Sequence, residues 1–211
     1  MEQLTVGKIL CLGRNYSEHA REMNSEIPAT PVVFMKPSTA IIRSGDDILF
    51  PAVSRCMHHE VELVVAIGTL CKNAPRATAY DFVSGYGVGL DMTLRDLQSE
   101  AKKKGEPWTV AKGFDTSAPL SEILPKTQIP DPHNLVLRCT VNGKVKQEGN
   151  TRDMIFRIDE IVSYLSCIFT LEPGDLIFTG TPEGVGEVKP GDHIEAELVG
   201  HTSIHHSVRA K

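Results

Sequence analysis

Three carboxylates with strand-like spacing are the residues in this sequence best suited to hold a metal ion. Glu60 and Glu62 lie two positions apart in the segment EVELVVAI, and residues two apart in a strand point to the same face. The rest of the segment is apolar, so the strand should be buried, where isolated carboxylates are costly. A positive group must then lie between them, and the candidates are a lysine, an arginine, a shared proton and a metal cation.

Asp91 ends the next strand-like segment and adds a third carboxylate to Glu60 and Glu62. Oxygen ligands without a cysteine partner favour Mg²⁺ or Mn²⁺ over zinc. The alternative is that the two glutamates face solvent on an edge strand. His58 and His59 precede the pair, but adjacent strand residues face opposite ways, so both histidines cannot easily serve one metal.

A histidine and a glutamate one helical turn apart form a candidate general base. His19 and Glu22 lie in a predicted short helix over residues 16–24, which Asn15 can cap, with Glu18 completing a variant of the capping box. At this spacing the carboxylate can hold the imidazole, and the pair could activate water. The alternative is an ordinary exposed helix pair without a function.

Two further segments carry groups that could contact an anionic substrate. Residues 179–186, TGTPEGVG, lack the endings of phosphate-binding and dinucleotide-binding loops, but their amides and hydroxyls could hold a carboxylate. A tight glycine turn is the alternative. Lys112 lies in AKGFDTSAPL and indicates nothing by itself. The lysine run at 102–104 is typical of a solvated helix end.

Short strands dominate the elements that must position these residues. Strand-like segments lie at 8–13, 31–35, 47–50, 60–67, 82–91, 134–141, 144–147, 176–179 and 193–198, and helical patterns at 16–24, 93–104 and 157–169. Asn142 and Gly143 between two of the strands predict a hairpin. Strands and helices do not alternate regularly, so the sequence predicts a β-rich α+β domain.

The composition excludes several classes of protein. The chain has 211 residues, 41% hydrophobic and 23% charged, which is globular rather than disordered. A net charge of −5 argues against non-specific binding of nucleic acid and against docking on anionic membranes. We find no apolar run of membrane-spanning length and no signal-peptide pattern at the start of the chain. The five cysteines are spread without a C-x-x-C pair, so we expect free thiols and a cytoplasmic location.

Together these segments resemble the fumarylacetoacetate hydrolase family. The matching segments, in family order over nearly the whole chain, are GRNYSEHAREM, FMKP, HHEVELVVAIG, GYGVGLDMTLRDLQ, AKGFDTSAPL and PGDLIFTGTPEGVG. The resemblance implies the fold of that family's C-terminal domain, an α+β, β-rich mixed-sheet roll around a metal site. It also implies one catalytic domain over residues 1–211, a lid at 15–31 and a homodimer.

The resemblance also assigns roles to individual residues. It implies Mg²⁺ (or Mn²⁺) ligands at Glu60, Glu62 and Asp91, catalytic residues at His19, Glu22 and Lys112, and substrate contacts at Arg14, Arg95, Gln98 and Thr181. Lys112 would neutralise enolate charge or donate a proton. His19 and Glu22 would lie on the lid.

The activity implied is the metal-dependent hydrolysis of a carbon–carbon bond in a 3-acylpyruvate such as acetylpyruvate or fumarylpyruvate. Two alternatives remain open within the family: decarboxylation or tautomerisation of oxaloacetate, and isomerisation of 2-hydroxyhepta-2,4-diene-1,7-dioate in aromatic catabolism. In each case the partner would be a small 2-oxo acid. A non-catalytic protein that kept the fold is the alternative from another class, and the intact set of site residues argues against it.

Overall fold

The structure is a computed structural model that describes residues 5–22 and 26–211. Its strands are β1 (Lys8–Gly13), β2 (Val32–Pro37), β3 (Ile41–Ile42), β4 (Ile48–Phe50), β5 (Met57–His59), β6 (Val61–Ile67), β7 (Val83–Leu90), β8 (Thr93–Leu94), β9 (Ala118–Pro119), β10 (Leu124–Pro125), β11 (Val136–Val141), β12 (Lys144–Asn150), β13 (Leu176–Phe178), β14 (Gly186–Val188), β15 (His193–Leu198) and β16 (Thr202–Ala210). Its α-helices are α1 (Ser17–Glu22), α2 (Arg95–Lys104), α3 (Thr109–Lys112) and α4 (Ile158–Ile168). Short 3₁₀ helices cover Ser38–Ala40, Arg76–Phe82, Lys126–Gln128 and Thr151–Asp153.

The central sheet carries the candidate site. Its order is β10-β7-β6-β13-β1-β2, with β1 parallel to β13 and the other pairs antiparallel. Every residue of β6 is buried, which is the pattern of a strand covered on both faces. The mixed sheets confirm the β-rich α+β architecture expected from the sequence.

A second sheet packs against the first and forms most of the core with it. Its order is β12-β11-β15-β16-β4, and β15 and β16 pack against β7. Asn142 and Gly143 join β11 to β12 with φ angles of 52° and 72°, as a tight hairpin turn requires, so the predicted hairpin is confirmed. This hairpin brings Gln147 to the central sheet.

The start of α1 differs from the prediction. The helix begins at Ser17, and the Asn15 amide does not cap it, because its oxygen accepts from Phe156 N at 2.7 Å and its nitrogen donates to Thr179 O at 2.8 Å. The expected capping box is therefore wrong. The predicted end of this helix and part of the expected lid lie at 23–25, outside the described residues.

Across the described ranges, no helix is long and apolar enough to cross a lipid bilayer. All five cysteines are free thiols, as expected.

Candidate active site

Antiparallel pairing of β6 with β7 brings the three carboxylates together. Glu62 lies opposite Gly89, and the Asp91 N–H donates to the Glu60 carbonyl oxygen at 2.8 Å. One carboxylate oxygen of each acidic residue lies within 4.8 Å of the others, and Glu60, the most exposed, is only 5% exposed. Because β6 is an internal strand between β7 and β13, a solvent-facing edge strand is excluded.

The Lys112 ammonium lies between two of the carboxylates. Lys112 is the last residue of α3. Its Nζ donates to Glu60 Oε2 at 2.8 Å, to Asp91 Oδ2 at 2.6 Å and to Thr93 Oγ1 at 2.6 Å. Burial alone would lower the pKa of Lys112, but Asp91 and Glu60 outweigh it and raise that pKa. Lys112 is therefore a charged donor at neutral pH.

Lys36 is a second buried ammonium that sequence reasoning missed. It lies on β2, is 1% exposed, and comes within 2.8 Å of Asp91 Oδ1. Its Nζ also donates to Met92 O at 3.2 Å and to Lys112 O. The signal available was a lone charge in the apolar segment VVFMKP, which reads equally well as a strand end. A buried ammonium here neutralises Asp91 from the side opposite Lys112.

Arg95 and Gln98 connect the acidic cluster to α2. The Arg95 guanidinium donates to Glu60, to Gln98 Oε1 at 2.7 Å and to His58 Nδ1 at 3.3 Å. Residues three apart on a helix share a face, so both side chains point into one cavity. Both therefore border the cavity, as the resemblance implies, and Arg95 also holds Glu60.

The charges around the carboxylates are unequal. Burial opposes ionisation of Glu60, but Lys112 and Arg95 hold the pKa of this carboxyl well below its usual range. Burial, Asp91 and Glu60 together raise the pKa of Glu62 well above its usual range. Among the described residues, no basic side chain lies within 4 Å of Glu62, and its Oε2 accepts only the Gly180 N–H at 2.8 Å. Glu62 is the acidic group that still lacks a cation.

These donors fit a hard divalent cation. Three buried carboxylates offer oxygen ligands, and Asp91 Oδ1 receives no well-aligned hydrogen bond in spite of the nearby Lys36. A divalent ion prefers such oxygens and would supply the charge that Glu62 lacks. Glu60, Glu62 and Asp91 could therefore bind a metal, as the sequence predicts.

The His19–Glu22 pair faces the same cavity. His19 Nδ1 lies 3.1 Å from Glu22 Oε2, and His19 is buried although its helix lies at the surface. The Glu22 carboxylate also accepts the Gly184 N–H, at 3.1 Å to Oε1 and 3.3 Å to Oε2. His19 is thus buried while Glu22 is partly exposed, and the Glu22 carboxylate contacts both the imidazole and the glycine-rich segment.

Gln147 positions that glycine-rich segment, and sequence reasoning missed it. Its Oε1 lies 2.8 Å from His59 Nδ1 and accepts the Val61 N–H at 3.1 Å. Its Nε2 donates to Thr181 Oγ1 at 2.8 Å and to Pro182 O at 2.9 Å. Thr181 lines the cavity, so Gln147 fixes a residue expected to contact substrate. Nothing in the polar, exposed-looking strand KVKQEGN marks this residue.

One cavity gathers most of the predicted site residues. Those that line it are Arg14, His19, Glu60, Glu62, Arg95, Gln98, Lys112 and Thr181. Glu22 and Asp91 join through hydrogen bonds to His19 and Lys112. Phe34 and Trp108, which were not predicted, form an apolar part of the wall. The arrangement can hold a small anion beside a cation and move a proton between mostly buried side chains.

The sequence matches a known protein family over nearly its whole length. Residues 8–209 match the family described as fumarylacetoacetate (FAA) hydrolase C-terminal. The chain belongs to the fumarylacetoacetate hydrolase family. The relative from Homo sapiens named "Oxaloacetate tautomerase FAHD1, mitochondrial" is 55% identical over 196 residues, which cover 93% of this chain and 89% of the relative.

Two solved structures of the family share the fold. Fumarylpyruvate hydrolase from Pseudomonas aeruginosa, in complex with Mn²⁺ and pyruvate, is 38% identical with a TM-score of 0.95 and covers 100% of this chain and 93% of its own. The 2-hydroxyhepta-2,4-diene-1,7-dioate isomerase from Mycobacterium marinum is 39% identical with a TM-score of 0.87, covering 99% and 76%. The expected fold type is confirmed.

Proposed function

We propose that this protein interconverts the keto and enol forms of oxaloacetate with the help of a bound divalent cation, Mg²⁺ or Mn²⁺. The observation that carries the proposal is the single cavity that combines three buried carboxylates, the charged Lys112 and the His19–Glu22 pair. The similarity to a relative named oxaloacetate tautomerase supports the choice of substrate.

Tautomerisation moves one proton between C3 and the oxygen on C2, and the site offers a group for each end. His19, held by Glu22, takes a proton from C3, and the Lys112 ammonium stabilises charge on the enolate oxygen and gives it a proton by releasing one of its present acceptors. Loss of the proton from His19 to water and uptake of one by Lys112 return both groups to their starting states. Thr181 and nearby amides hold the carboxylate. A cation bound by Glu60, Glu62 and Asp91 would polarise the 2-oxo group.

Hydrolysis of 3-acylpyruvates is the second candidate, and the His19–Glu22 pair favours it. In that reaction His19 takes a proton from water, the resulting hydroxide adds to the distal carbonyl carbon, and the carbon–carbon bond breaks. The products are a carboxylic acid and the enolate of pyruvate, which is protonated at C3. The structural similarity to a fumarylpyruvate hydrolase supports this candidate. Decarboxylation of oxaloacetate leads to the same enolate without water.

The test compares oxaloacetate with acetylpyruvate on metal-stripped protein resupplied with Mg²⁺ or Mn²⁺. We expect rapid keto–enol conversion of oxaloacetate, reduced at least about 100-fold in His19→Gln, because a positioned general base contributes at least that much. His201→Gln, at an exposed histidine, is the control. Equimolar acetate and pyruvate from acetylpyruvate, with no acceleration of oxaloacetate conversion, would overturn the tautomerase in favour of the hydrolase.

The homodimer and the cytoplasmic location expected from the sequence remain proposals. The first follows from the family resemblance and the second from the free cysteines. Light scattering during gel filtration and cell fractionation would test them separately.

A further inference from the structure

The cavity has more positively charged side chains than are paired with its carboxylates. Lys36, Lys112 and Arg95 each contact an acidic residue of the metal site. Arg14 and Lys102 line the same cavity, and among residues 5–22 and 26–211 neither has a carboxylate partner within 4 Å. Two cations therefore border the cavity without a counter-ion of their own.

Arg14 keeps unused hydrogen-bond donors beside the cavity. Its Nε is buried without a hydrogen-bond partner, and its NH1 makes one long contact, 3.5 Å, with Glu26 O. Arg14 also has a φ of 60°, in the left-handed region that residues other than glycine rarely adopt. Residues held in such sparsely populated backbone conformations cluster at active sites and ligand-binding sites. A guanidinium held in this way can receive a carboxylate with two parallel hydrogen bonds.

Lys102 shares a helix face with residues already placed at the site. Arg95, Gln98 and Lys102 are separated by three and four residues, so one stripe of α2 carries all three into the cavity. Its ammonium lies 5.1 Å from the centre of the Trp108 ring, which restrains it by a cation–π contact. Lys102 is exposed, as expected for a solvated helix end, but its side chain also borders the cavity.

Electrostatic repulsion supports this placement. Partial burial lowers the pKa of Lys102, and Arg95, Lys112 and Arg14 lower it further by repulsion, against an opposing effect of Glu60. An anion bound near Lys102 would relieve that repulsion.

We propose that Arg14 and Lys102 form a second anion subsite, which binds the distal carboxylate of a 2-oxo dicarboxylic acid. The first carboxylate and the 2-oxo group lie at the metal end of the cavity, as in the proposed function, on which this inference rests. The subsite selects oxaloacetate and similar diacids over 2-oxo acids with an uncharged tail.

The test uses a pair of acids that differ at the distal end. In 2-oxobutyrate a methyl group stands where oxaloacetate has its second carboxylate. Turnover is followed as keto–enol conversion of oxaloacetate and as exchange of C3 protons with deuterium for 2-oxobutyrate. Binding is measured separately, as the rise in melting temperature that each acid causes in the Mg²⁺-loaded protein.

The variants are Arg14→Gln and Lys102→Met, and Lys103→Gln is the matched control on the exposed side of α2. We expect each variant to raise the KM for oxaloacetate relative to that for 2-oxobutyrate by about tenfold, the effect of one charge-assisted hydrogen bond. The melting shift with oxaloacetate should fall in parallel, and Lys103→Gln should change neither quantity.

The two proposals fail in different ways. If both acids turn over but the ratio of KM values is the same in the variants and the wild type, the subsite is overturned and the proposed function stands. If neither acid turns over, the proposed function fails. A melting shift specific for oxaloacetate and lost in both variants would still support the subsite in that case, and equal shifts with both acids would overturn it.

Discussion

At the scale of single residues, Gln147 shows how a buried amide can organise a site that it does not border. Both of its N–H groups and its oxygen are used, in bonds to His59, Val61, Thr181 and Pro182. Because its oxygen accepts, His59 must carry a proton on Nδ1, and burial, which lowers the pKa of His59, favours the neutral ring with Nε2 unprotonated. The amide thus fixes both a tautomer and the position of the glycine-rich segment.

Replacing this amide should cost stability. In Gln147→Leu, the buried N–H groups of Val61 and His59 lose their acceptor, and each unsatisfied group costs about 1–3 kcal/mol. We expect the free energy of unfolding in urea to fall by about 2–4 kcal/mol. Gln128→Leu, at an exposed position, should change it by less than about 0.5 kcal/mol. Equal losses in the two variants would contradict the role of Gln147.

Glu62 should decide the response to metal. A cation that binds the folded protein stabilises it by about 2.7 kcal/mol at 100 times its dissociation constant. We expect Mg²⁺ to raise the melting temperature of EDTA-treated protein, and Glu62→Gln to remove most of that rise because a neutral amide supplies no charge. Glu187→Gln, an exposed control, should keep it. An undiminished rise in Glu62→Gln would place the metal elsewhere.

The individual site residues were predictable to different degrees. Glu60 and Glu62 could be paired from their spacing alone, because residues two apart in a strand share a face. Lys36 and Asn15 could not, since their contacts depend on which distant segments become neighbours. Lys36 reaches Asp91 across more than fifty residues of chain, and a strand pattern contains no information about that pairing.

At the scale of elements, the segment at 179–186 is shaped by glycine. Gly184 has a φ of 91°, and a Cβ at this position would overlap the Lys146 carbonyl oxygen. The Gly184 N–H also donates to the Glu22 carboxylate. The close approach of β12 to this segment therefore requires glycine and permits the contact with α1.

Substituting this glycine should separate strain from steric overlap. Gly184→Ala introduces both, while Gly191→Ala, with a φ of 100° and open space around it, introduces strain alone. We expect Gly191→Ala to lose about 1 kcal/mol of unfolding free energy and Gly184→Ala clearly more. Turnover of oxaloacetate should fall in Gly184→Ala only. Similar stability and turnover in the two variants would show that the overlap is easily relieved.

Most strands were predictable because their residue patterns are local. The bounds of β1 and β15 match the predicted segments, while several short strands and β16, the longest strand outside the predicted segments, were missed. In β16 the buried positions alternate as Ile204, His206 and Val208, and the histidine hides the apolar period. A polar residue at a core position thus concealed an entire strand.

At the scale of the whole molecule, the same buried histidine should make stability depend on pH. His206 is 2% exposed, its Nδ1 lies 2.9 Å from Asp46 O, and its Nε2 has no partner. Burial lowers the pKa of His206, with a smaller contribution from His205, against the opposing effects of Asp46 and Asp47. In the unfolded chain the pKa of a histidine returns to about 6.5. The folded protein therefore loses stability as the pH falls through that value.

The corresponding prediction concerns the slope of stability with pH. We expect the free energy of unfolding to fall by about 1 kcal/mol or more between pH 7.5 and pH 5.5, since one pKa unit corresponds to 1.36 kcal/mol. Urea unfolding at several pH values would measure it. His206→Gln should reduce the slope, and His201→Gln, at an exposed histidine, should not. The same slope in all three proteins would assign the acid sensitivity to other groups.

The assembly of the whole fold brings together residues that are far apart in the chain. β1 pairs in parallel with β13, although they are separated by most of the sequence, and this pairing places Asn15 beside Thr179. Composition and periodicity can predict the class of such a fold. They cannot predict the order of strands in its sheets, which depends on long-range packing.

The two hydrogen-bonding contacts of the Glu22 carboxylate have a consequence for the position of His19. One carboxylate orients the His19 imidazole and accepts the Gly184 N–H. Any separation of α1 from that segment removes a partner of this carboxylate and shifts the histidine with it. The position of the His19 imidazole is therefore coupled to the contact between α1 and the glycine-rich segment, where Glu22 and Gly184 are 162 residues apart in the chain.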